Sequence, residues 1–377
     1  MNVSVTLWDI VKLYSIKPRF RINTYYNFKV WKSLIIFRFQ KVLNMSARPK
    51  LYINQGIPED GEAIKLYRKQ CEITMYDEKK GGVVSVPREE FLRSVKGVDA
   101  IHLAYPAKID NEALDAAGPQ LKVIGTMSVG LDHLDLAECS RRNVKVGYTP
   151  DVLTDAVAEA AIALTLATAR RHKEGMADVK NGVWGSTWSN SLYLCGKDIK
   201  GSTVGIVGLG RIGFEVAKRL KAFGINRLLY CGRTHKDYAS EVDGEFVAFD
   251  DLLRQSDFVI ACCSINPSNH KLFNAEAFKK MKSSAILVNV SRGILIDQDA
   301  LYDALKTGEL HAAGIDVTTP EPLPVDHPLL TLPNCTVLPH LGSASINARH
   351  AMANLTARNI LAGLKGDPLP APVPSQK

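Results

Sequence analysis

The stretch Thr203-Val-Gly-Ile-Val-Gly-Leu-Gly-Arg-Ile-Gly213 constrains the fold of this chain more than any other. Its glycines fall as Gly208-x-Gly210-x-x-Gly213, directly after a mostly apolar strand-like run, 203–207, and directly before a helical run, Arg211 to Phe223. A strand that turns on glycines into a helix is the first unit of an open parallel sheet that holds a dinucleotide. Gly208 permits the tight turn, Gly210 lets the backbone approach a pyrophosphate, and Gly213 lets the helix pack on the sheet. The helix N-terminus then presents unpaired N–H groups and its positive dipole end to the phosphates. The competing reading is a tight turn with no ligand.

The rest of the chain agrees with that sheet. From residue 50 onward, short β-rich runs alternate with helical runs, the mark of parallel α/β units. Strands are expected at 50–53, 72–76, 99–104, 121–126 and 144–147, with helices near 59–70, 88–95, 110–117 and 132–141. A second series of strands is expected at 203–207, 227–231, 257–262, 285–290, 311–315 and 335–338. Between the two series, Val152 to Lys180 reads as one long helix with an apolar stripe through Ala156, Ala160, Ala163, Leu164 and Ala167. Small residues off that stripe, Ala158, Ala161 and Ala169, suggest close packing on two sides, as in a helix joining two domains. A final helix, about 344–364, follows the second series and is placed to return to the first.

The second strand of the dinucleotide unit bears on cofactor choice. A site for NAD usually places Asp or Glu at the end of this strand to hold the ribose 2′-hydroxyl. Here Leu228-Leu-Tyr-Cys runs into Gly232-Arg233-Thr234-His235-Lys236, with no acid at that place. Arg233 can pair an additional 2′-phosphate, helped by Thr234, His235 and Lys236, so NADPH is expected over NADH. The competing reading makes Arg233 a solvated loop residue and gives the role to Asp237.

Three polar residues each follow an apolar strand: Arg292 after Ile286–Val290, Glu321 (with Asp316) after the run ending at Ile315, and His340 after Cys335–Leu338. Ligands of open α/β sheets bind outside the carboxyl ends of the strands, so these residues are expected to converge. Carbonyl reduction needs a hydride and a proton. His340 can deliver the proton near neutral pH, Glu321 can hold the imidazole and favour its charged form, and Arg292 can clamp a substrate carboxylate and polarise the carbonyl beside it. Singly, each has a plain structural reading as a satisfied histidine or a salt bridge.

Together these features resemble the D-2-hydroxyacid dehydrogenase family over roughly residues 50–365. The segments that carry the resemblance are Thr126-Met-Ser-Val-Gly-Leu-Asp-His133, Gly147-Tyr-Thr-Pro-Asp-Val-Leu-Thr154, Asp316-Val-Thr-Thr-Pro-Glu-Pro-Leu-Pro324 and Leu338-Pro-His-Leu-Gly-Ser343. They are most similar to the glyoxylate/hydroxypyruvate reductase branch. The resemblance implies two Rossmann-like or flavodoxin-like parallel-sheet domains with the active site in the cleft between them. It divides the chain into a basic extension, 1–44, a discontinuous substrate domain, 45–152 with 345–377, and an NADP-binding domain, 153–344. It implies reduction of glyoxylate to glycolate and of hydroxypyruvate to D-glycerate, with Arg292, Glu321 and His340 as the catalytic set and dimerisation through the cofactor domain. The substrate would also meet Val129, Gly130, Asp316, Gly342 and Ser343, and Trp188 of a partner subunit, with Trp184 as second candidate. The cofactor would lie along Gly208, Gly210, Arg211, Ile212, Gly213, Ser264, Val290, Asp316 and Gly342, besides the 233–236 loop. Tyr105, in an unusual substrate-side loop, would narrow the pocket. The alternatives are another member, such as phosphoglycerate dehydrogenase, or a dinucleotide-sensing corepressor-like scaffold.

Charge excludes one further class. The formal net charge is +8, but residues 1–44 hold eight bases against one acid, Asp9, and the remainder carries 39 bases and 38 acids. The body is nearly neutral, so a nucleic-acid partner is not expected. No run of 18 apolar residues appears, so no membrane span is expected. The seven cysteines lack CxxC spacing, which argues against a metal site and for a reducing compartment. The cytoplasm is therefore expected. Residues 1–44 read as an extension before a natural start at Met45, or alternatively as an amphipathic presequence for mitochondria or another organelle.

Overall fold

The computed structural model describes residues 48–76, 86–186 and 189–376. Two parallel sheets organise them. The first is built from β1 (Lys50–Ile53), β2 (Glu72–Met75), β3 (Ala100–Leu103), β4 (Val123–Thr126) and β5 (Lys145–Gly147), in the order β2-β1-β3-β4-β5. Helices α1 (Glu62–Gln70), α2 (Arg88–Ser94), α3 (Asn111–Ala117) and α4 (Leu136–Arg141) connect these strands. Strands β1, β3 and β4 are almost continuously apolar and buried, as strands covered on both faces must be.

The chain then crosses to the second sheet through residues 148–153. The expected single helix over Val152–Lys180 is instead two, α5 (Thr154–Ala169) and α6 (His172–Lys180). Between them Arg171 adopts φ 55°, and its guanidinium bonds the Glu174 carboxylate at 2.9 Å, fixing the new helix start. Helix α5 lies on the second sheet and on α7 (Arg211–Ala222) rather than bridging the two sheets. Helix and sheet come close there: a Cβ on Gly314 of that sheet would lie 2.9 Å from Leu164.

The second sheet contains β6 (Thr203–Val207), β7 (Arg227–Cys231), β8 (Gly244–Phe246), β9 (Phe258–Ala261), β10 (Ile286–Asn289), β11 (Ala312–Ile315) and β12 (Cys335–Val337). Their order is β12-β11-β10-β9-β6-β7-β8, all parallel. Strand β8 is an addition to the expected set. Helices α8 (Phe249–Gln255), α9 (Ala275–Lys280) and α10 (Gln298–Thr307) complete the connections. The chain runs outward from β6 to β8 and then restarts on the other side of β6 at β9. The loops after β6 and β9 therefore diverge from a crevice, where such sheets bind ligands.

The last helix, α11 (Ile346–Lys365), packs on β3, β4, β5 and α1 of the first sheet. Glycines permit the approach: a Cβ on Gly125 would lie 2.9 Å from Ile360, and one on Gly147 2.6 Å from Asn359. Buried Asn359 then donates to the Tyr148 carbonyl and accepts from the Ala371 amide, fastening the C-terminal segment to the end of β5.

Candidate active site

The three motif glycines occupy three different environments. Gly208 has φ 97°, and a Cβ there would lie 2.6 Å from the Cα of Cys263, at the start of the loop after β9. A Cβ on Gly213 would run into the Gly208 carbonyl, so helix and strand can touch only with glycine there. A Cβ on Gly210 would meet nothing within 4 Å. That open space lies before the first turn of α7, where the N–H groups of Arg211, Ile212 and Gly213 have no intrahelical acceptor. The crevice therefore has the cradle and the donors that a pyrophosphate needs. Ile212 itself packs against the core, and the Arg211 guanidinium bonds Asp151 in the crossing segment at 2.8 Å.

The loop after β7 is held by backbone contacts and leaves its cations outward. The Lys236 amide donates to the Tyr230 hydroxyl at 2.9 Å, and Lys236 Nζ donates to Thr234 Oγ1 at 3.1 Å. Arg233 is exposed and has no protein partner among the described residues. Asp237, fully exposed, lies 3.5 Å from His235. Ser264 is exposed after β9, whereas Val290 is buried after β10, its amide reaching the Ala261 carbonyl.

At the carboxyl ends of β10, β11 and β12 the catalytic candidates come together. His340 Nδ1 lies 2.9 Å from Glu321 Oε2, while Glu321 Oε1 accepts the Thr318 amide at 2.9 Å. Burial raises the Glu321 pKa, but the hydrogen bond and charge of His340, the Thr318 amide and the Arg292 cation outweigh it, leaving it below the ordinary value. The Glu321 contribution is thus present above the usual carboxylate range and is lost as pH falls through its depressed value. His340 Nε2 has no partner among the described residues and is left for a ligand.

His340 is the strained element of this group, with φ 54°. Asp316, 2 % exposed, enforces that conformation. Its carbonyl accepts the His340 amide, and its two carboxylate oxygens accept the amides of Leu341 at 2.7 Å and Gly342 at 2.8 Å. Burial pushes the Asp316 carboxyl up, with those two amides opposing it. The structure therefore shows Asp316 as the brace of the histidine loop. The Gly342 amide is taken by that brace, and Ser343 closes the loop by accepting the Ser345 amide at its carbonyl.

Arg292 faces the first sheet across the cleft. Its Nε donates to Asp132 at 3.0 Å and its Nη1 to the Ser291 carbonyl at 2.9 Å. Its Nη2 occupies the place a Cβ on Gly130 would need. The N–H groups of Val129, Gly130 and Leu131 have no acceptor among the described residues. Three unpaired amides beside a guanidinium form a concave site for a carboxylate. Tyr105 follows β3 nearby, its backbone pinned by Asn54, whose Nδ2 donates to the Tyr105 carbonyl at 2.7 Å. Burial, and then the charge of Glu321, raise the Tyr105 pKa. Trp188 lies outside the described residues; Trp184 sits in a short 3-10 turn, 58 % exposed.

Comparison with known proteins decides the family. Residues 162–342 match the model of the D-isomer specific 2-hydroxyacid dehydrogenase NAD-binding domain. A human protein named glyoxylate reductase/hydroxypyruvate reductase is 47 % identical over 323 residues, covering 85 % of this chain and 97 % of its own. The chain belongs to the D-2-hydroxyacid dehydrogenase family. A glyoxylate reductase of Thermofilum pendens is 42 % identical over 326 residues, covering 86 % and 94 %. Among solved structures, a Thermus thermophilus protein superposes with TM-score 0.78 at 40 % identity, covering 86 % and 99 %. An NADPH-dependent glyoxylate/hydroxypyruvate reductase of Sinorhizobium meliloti, solved with NADP and malonate, superposes with TM-score 0.73 at 29 % identity, covering 87 % and 97 %.

In this dehydrogenase the glycine environments predict separable effects. Gly210→Val should abolish dinucleotide binding, read by fluorescence titration, and leave the melting temperature unchanged. Gly213→Val should lower the melting temperature, because the added carbons force the helix off the strand. Four polar residues of the site were given no role from sequence: Asn54, Thr126, Asp132 and His133. Thr126, Asp132 and His133 lie in the quoted segment 126–133, whereas Asn54 has only its position directly after β1 as a signal.

Proposed function

We propose that this dehydrogenase reduces small 2-oxo acids, glyoxylate to glycolate and hydroxypyruvate to D-glycerate, with NADPH as the hydride source. The observation that carries the reading is the His340–Glu321 pair, 2.9 Å apart, with an Arg292 side chain whose charge acts on Glu321 and whose Nη2 stands over Gly130. The substrate carboxylate is held by those amides and Arg292 Nη2, which fixes the adjacent carbonyl. A dinucleotide bound along Gly208–Gly213 would supply the hydride for the carbonyl carbon. His340, doubly protonated, gives its Nε2 proton to the carbonyl oxygen and ends neutral, while Glu321 keeps the ring oriented through Nδ1. Arg292 stabilises the charge that develops on that oxygen.

The cofactor preference rests on Arg233, exposed and unpaired among the described residues, beside Lys236. Arg233→Ala is expected to lower kcat/KM for NADPH by about 10- to 100-fold, the value of one or two charge-assisted bonds, and to leave NADH unchanged. Equal losses with both cofactors would count against the assignment.

The dehydrogenase is also proposed to act in the cytoplasm as a homodimer. Residues Met176, Val179, Trp184 and Leu192, all more than half exposed, form an apolar stretch on the second-sheet side that suits a second copy. The scaffold alternative draws no support from the relatives named above, whose names describe reductases.

A further inference from the structure

We infer that His133 is a positioning residue for the substrate carboxylate, acting through two hydroxyls on the loop that carries the free amides. The inference rests on the proposed reduction of 2-oxo acids at this site. His133 Nε2 lies 3.1 Å from Thr126 Oγ1, which lies 2.9 Å from Ser128 Oγ, which in turn donates to the Gly130 carbonyl at 2.7 Å.

The direction of this chain is fixed from its far end. A carbonyl only accepts, so the single Ser128 hydroxyl proton goes to Gly130. Ser128 Oγ must then accept from Thr126, whose one proton is thereby used. Thr126 Oγ1 can then take only a proton from His133, so Nε2 carries the hydrogen and Nδ1 is bare. Burial, first, and the Arg292 cation lower the His133 pKa to about 4 against the opposing charge of Asp132, so the ring is neutral at physiological pH. A neutral ring with one N–H is what the chain requires.

The carbonyl held this way is the one that matters. The Gly130 carbonyl is turned back onto Ser128. In a trans peptide the following N–H, that of Leu131, points the opposite way. Released, the same carbonyl could rotate toward the cleft and oppose an anion. The backbone on both sides is already fixed: the Thr149 amide donates to the Ser128 carbonyl, and the Ile109 amide to that of His133. The peptide between Gly130 and Leu131 is the part left to the hydroxyl chain. Asp132, next to His133, meanwhile holds Arg292. Adjacent residues thus set the two halves of the carboxylate site, His133 the amides and Asp132 the guanidinium.

The test uses His133→Phe, His133→Gln, Ser128→Ala and the double variant His133→Phe/Ser128→Ala. Readouts are KM and kcat for glyoxylate at saturating NADPH, dissociation constants for NADPH, and calorimetric affinity of oxalate for the NADPH complex. His133→Phe and Ser128→Ala should each raise KM and weaken oxalate about 3- to 10-fold, the effect of one buried hydrogen bond, with kcat and NADPH affinity unchanged. His133→Gln, whose Nε2 also donates, should restore both. The double variant should be no worse than Ser128→Ala alone, because a broken chain cannot be broken again. Multiplicative losses, an unchanged oxalate affinity, or equal effects on KM, kcat and NADPH binding would each overturn the inference. Failure of the underlying reading would appear instead in the parent enzyme, which would turn over no 2-oxo acid; the oxalate arm still tests the chain in that case.

Discussion

Replacing His340 by alanine is expected to lower kcat for 2-oxo acid reduction by about 10²- to 10⁴-fold, the range for removing one positioned acid. Dinucleotide affinity should not change, because the phosphate cradle at Gly208–Gly213 belongs to β6 and α7, separated from β11 by β9 and β10 and from β12 by β11 as well. The loss should not be recovered by moving the acid elsewhere. His340 is held at φ 54° by the Asp316 carbonyl and carboxylate, so its ring is aimed by backbone rather than by packing alone. Glu321→Gln should fall between parent and His340→Ala. A glutamine still offers one acceptor, but it lacks the negative charge that Glu321 sets beside the ring. Its amide nitrogen would also face either the Thr318 amide or the His340 ring, both donors in the parent. Steady-state kinetics of the three proteins with hydroxypyruvate checks the order. A His340→Ala variant with parental kcat would remove the histidine from the chemistry.

Arg292→Ala carries the second large effect, a loss in kcat/KM of about 10²- to 10³-fold, comparable to removing one preorganised donor from a developing oxyanion. The argument is geometric. Nε is fixed on Asp132, Nη1 on the Ser291 carbonyl, and Nη2 stands over Gly130. Two of the three nitrogens orient the third. Lysine offers a single ammonium on a flexible stem and cannot reproduce this, so Arg292→Lys should recover little. The alanine change also leaves Asp132 without its cation. Attraction to Arg292 is the foremost influence opposing the rise that burial imposes on the Asp132 pKa, so that pKa should climb. Substrate KM should rise with the fall in kcat, which separates this variant from His340→Ala.

The architecture was legible because its strands are short, apolar and β-branched, and because glycine at 208, 210 and 213 admits few backbone arrangements. The arginine, glutamate and histidine stand out only as a set, each following a buried strand, and the structure pairs His340 with Glu321. Elements without a local pattern were not legible. Strand β8 is Gly244-Glu-Phe, three residues at the sheet edge with no alternation to read. The break at Arg170–Arg171 occurs among residues with good helix propensity, and only the left-handed Arg171 and its bond to Glu174 reveal it. The roles of the polar groups behind the site were not legible because their partners are remote in sequence or non-periodic: Asn54 serves Ala104 and Tyr105, Asp132 serves Arg292, and His133 reaches back to Thr126. Asp316 was recognised as important, but its partners, the amides of Leu341 and Gly342, lie on another strand's loop. The basic segment 1–44 and Trp188 lie outside the described residues.

The most direct test of the account is the ratio of kcat/KM for NADPH and NADH, measured on one preparation of the full chain with glyoxylate, hydroxypyruvate and pyruvate. The site described here predicts turnover of glyoxylate and hydroxypyruvate, with NADPH preferred because Arg233 and Lys236 have a 2′-phosphate to hold. Absence of turnover with either cofactor would contradict the assignment of the reaction, and a preference for NADH would contradict the reading of the loop after β7.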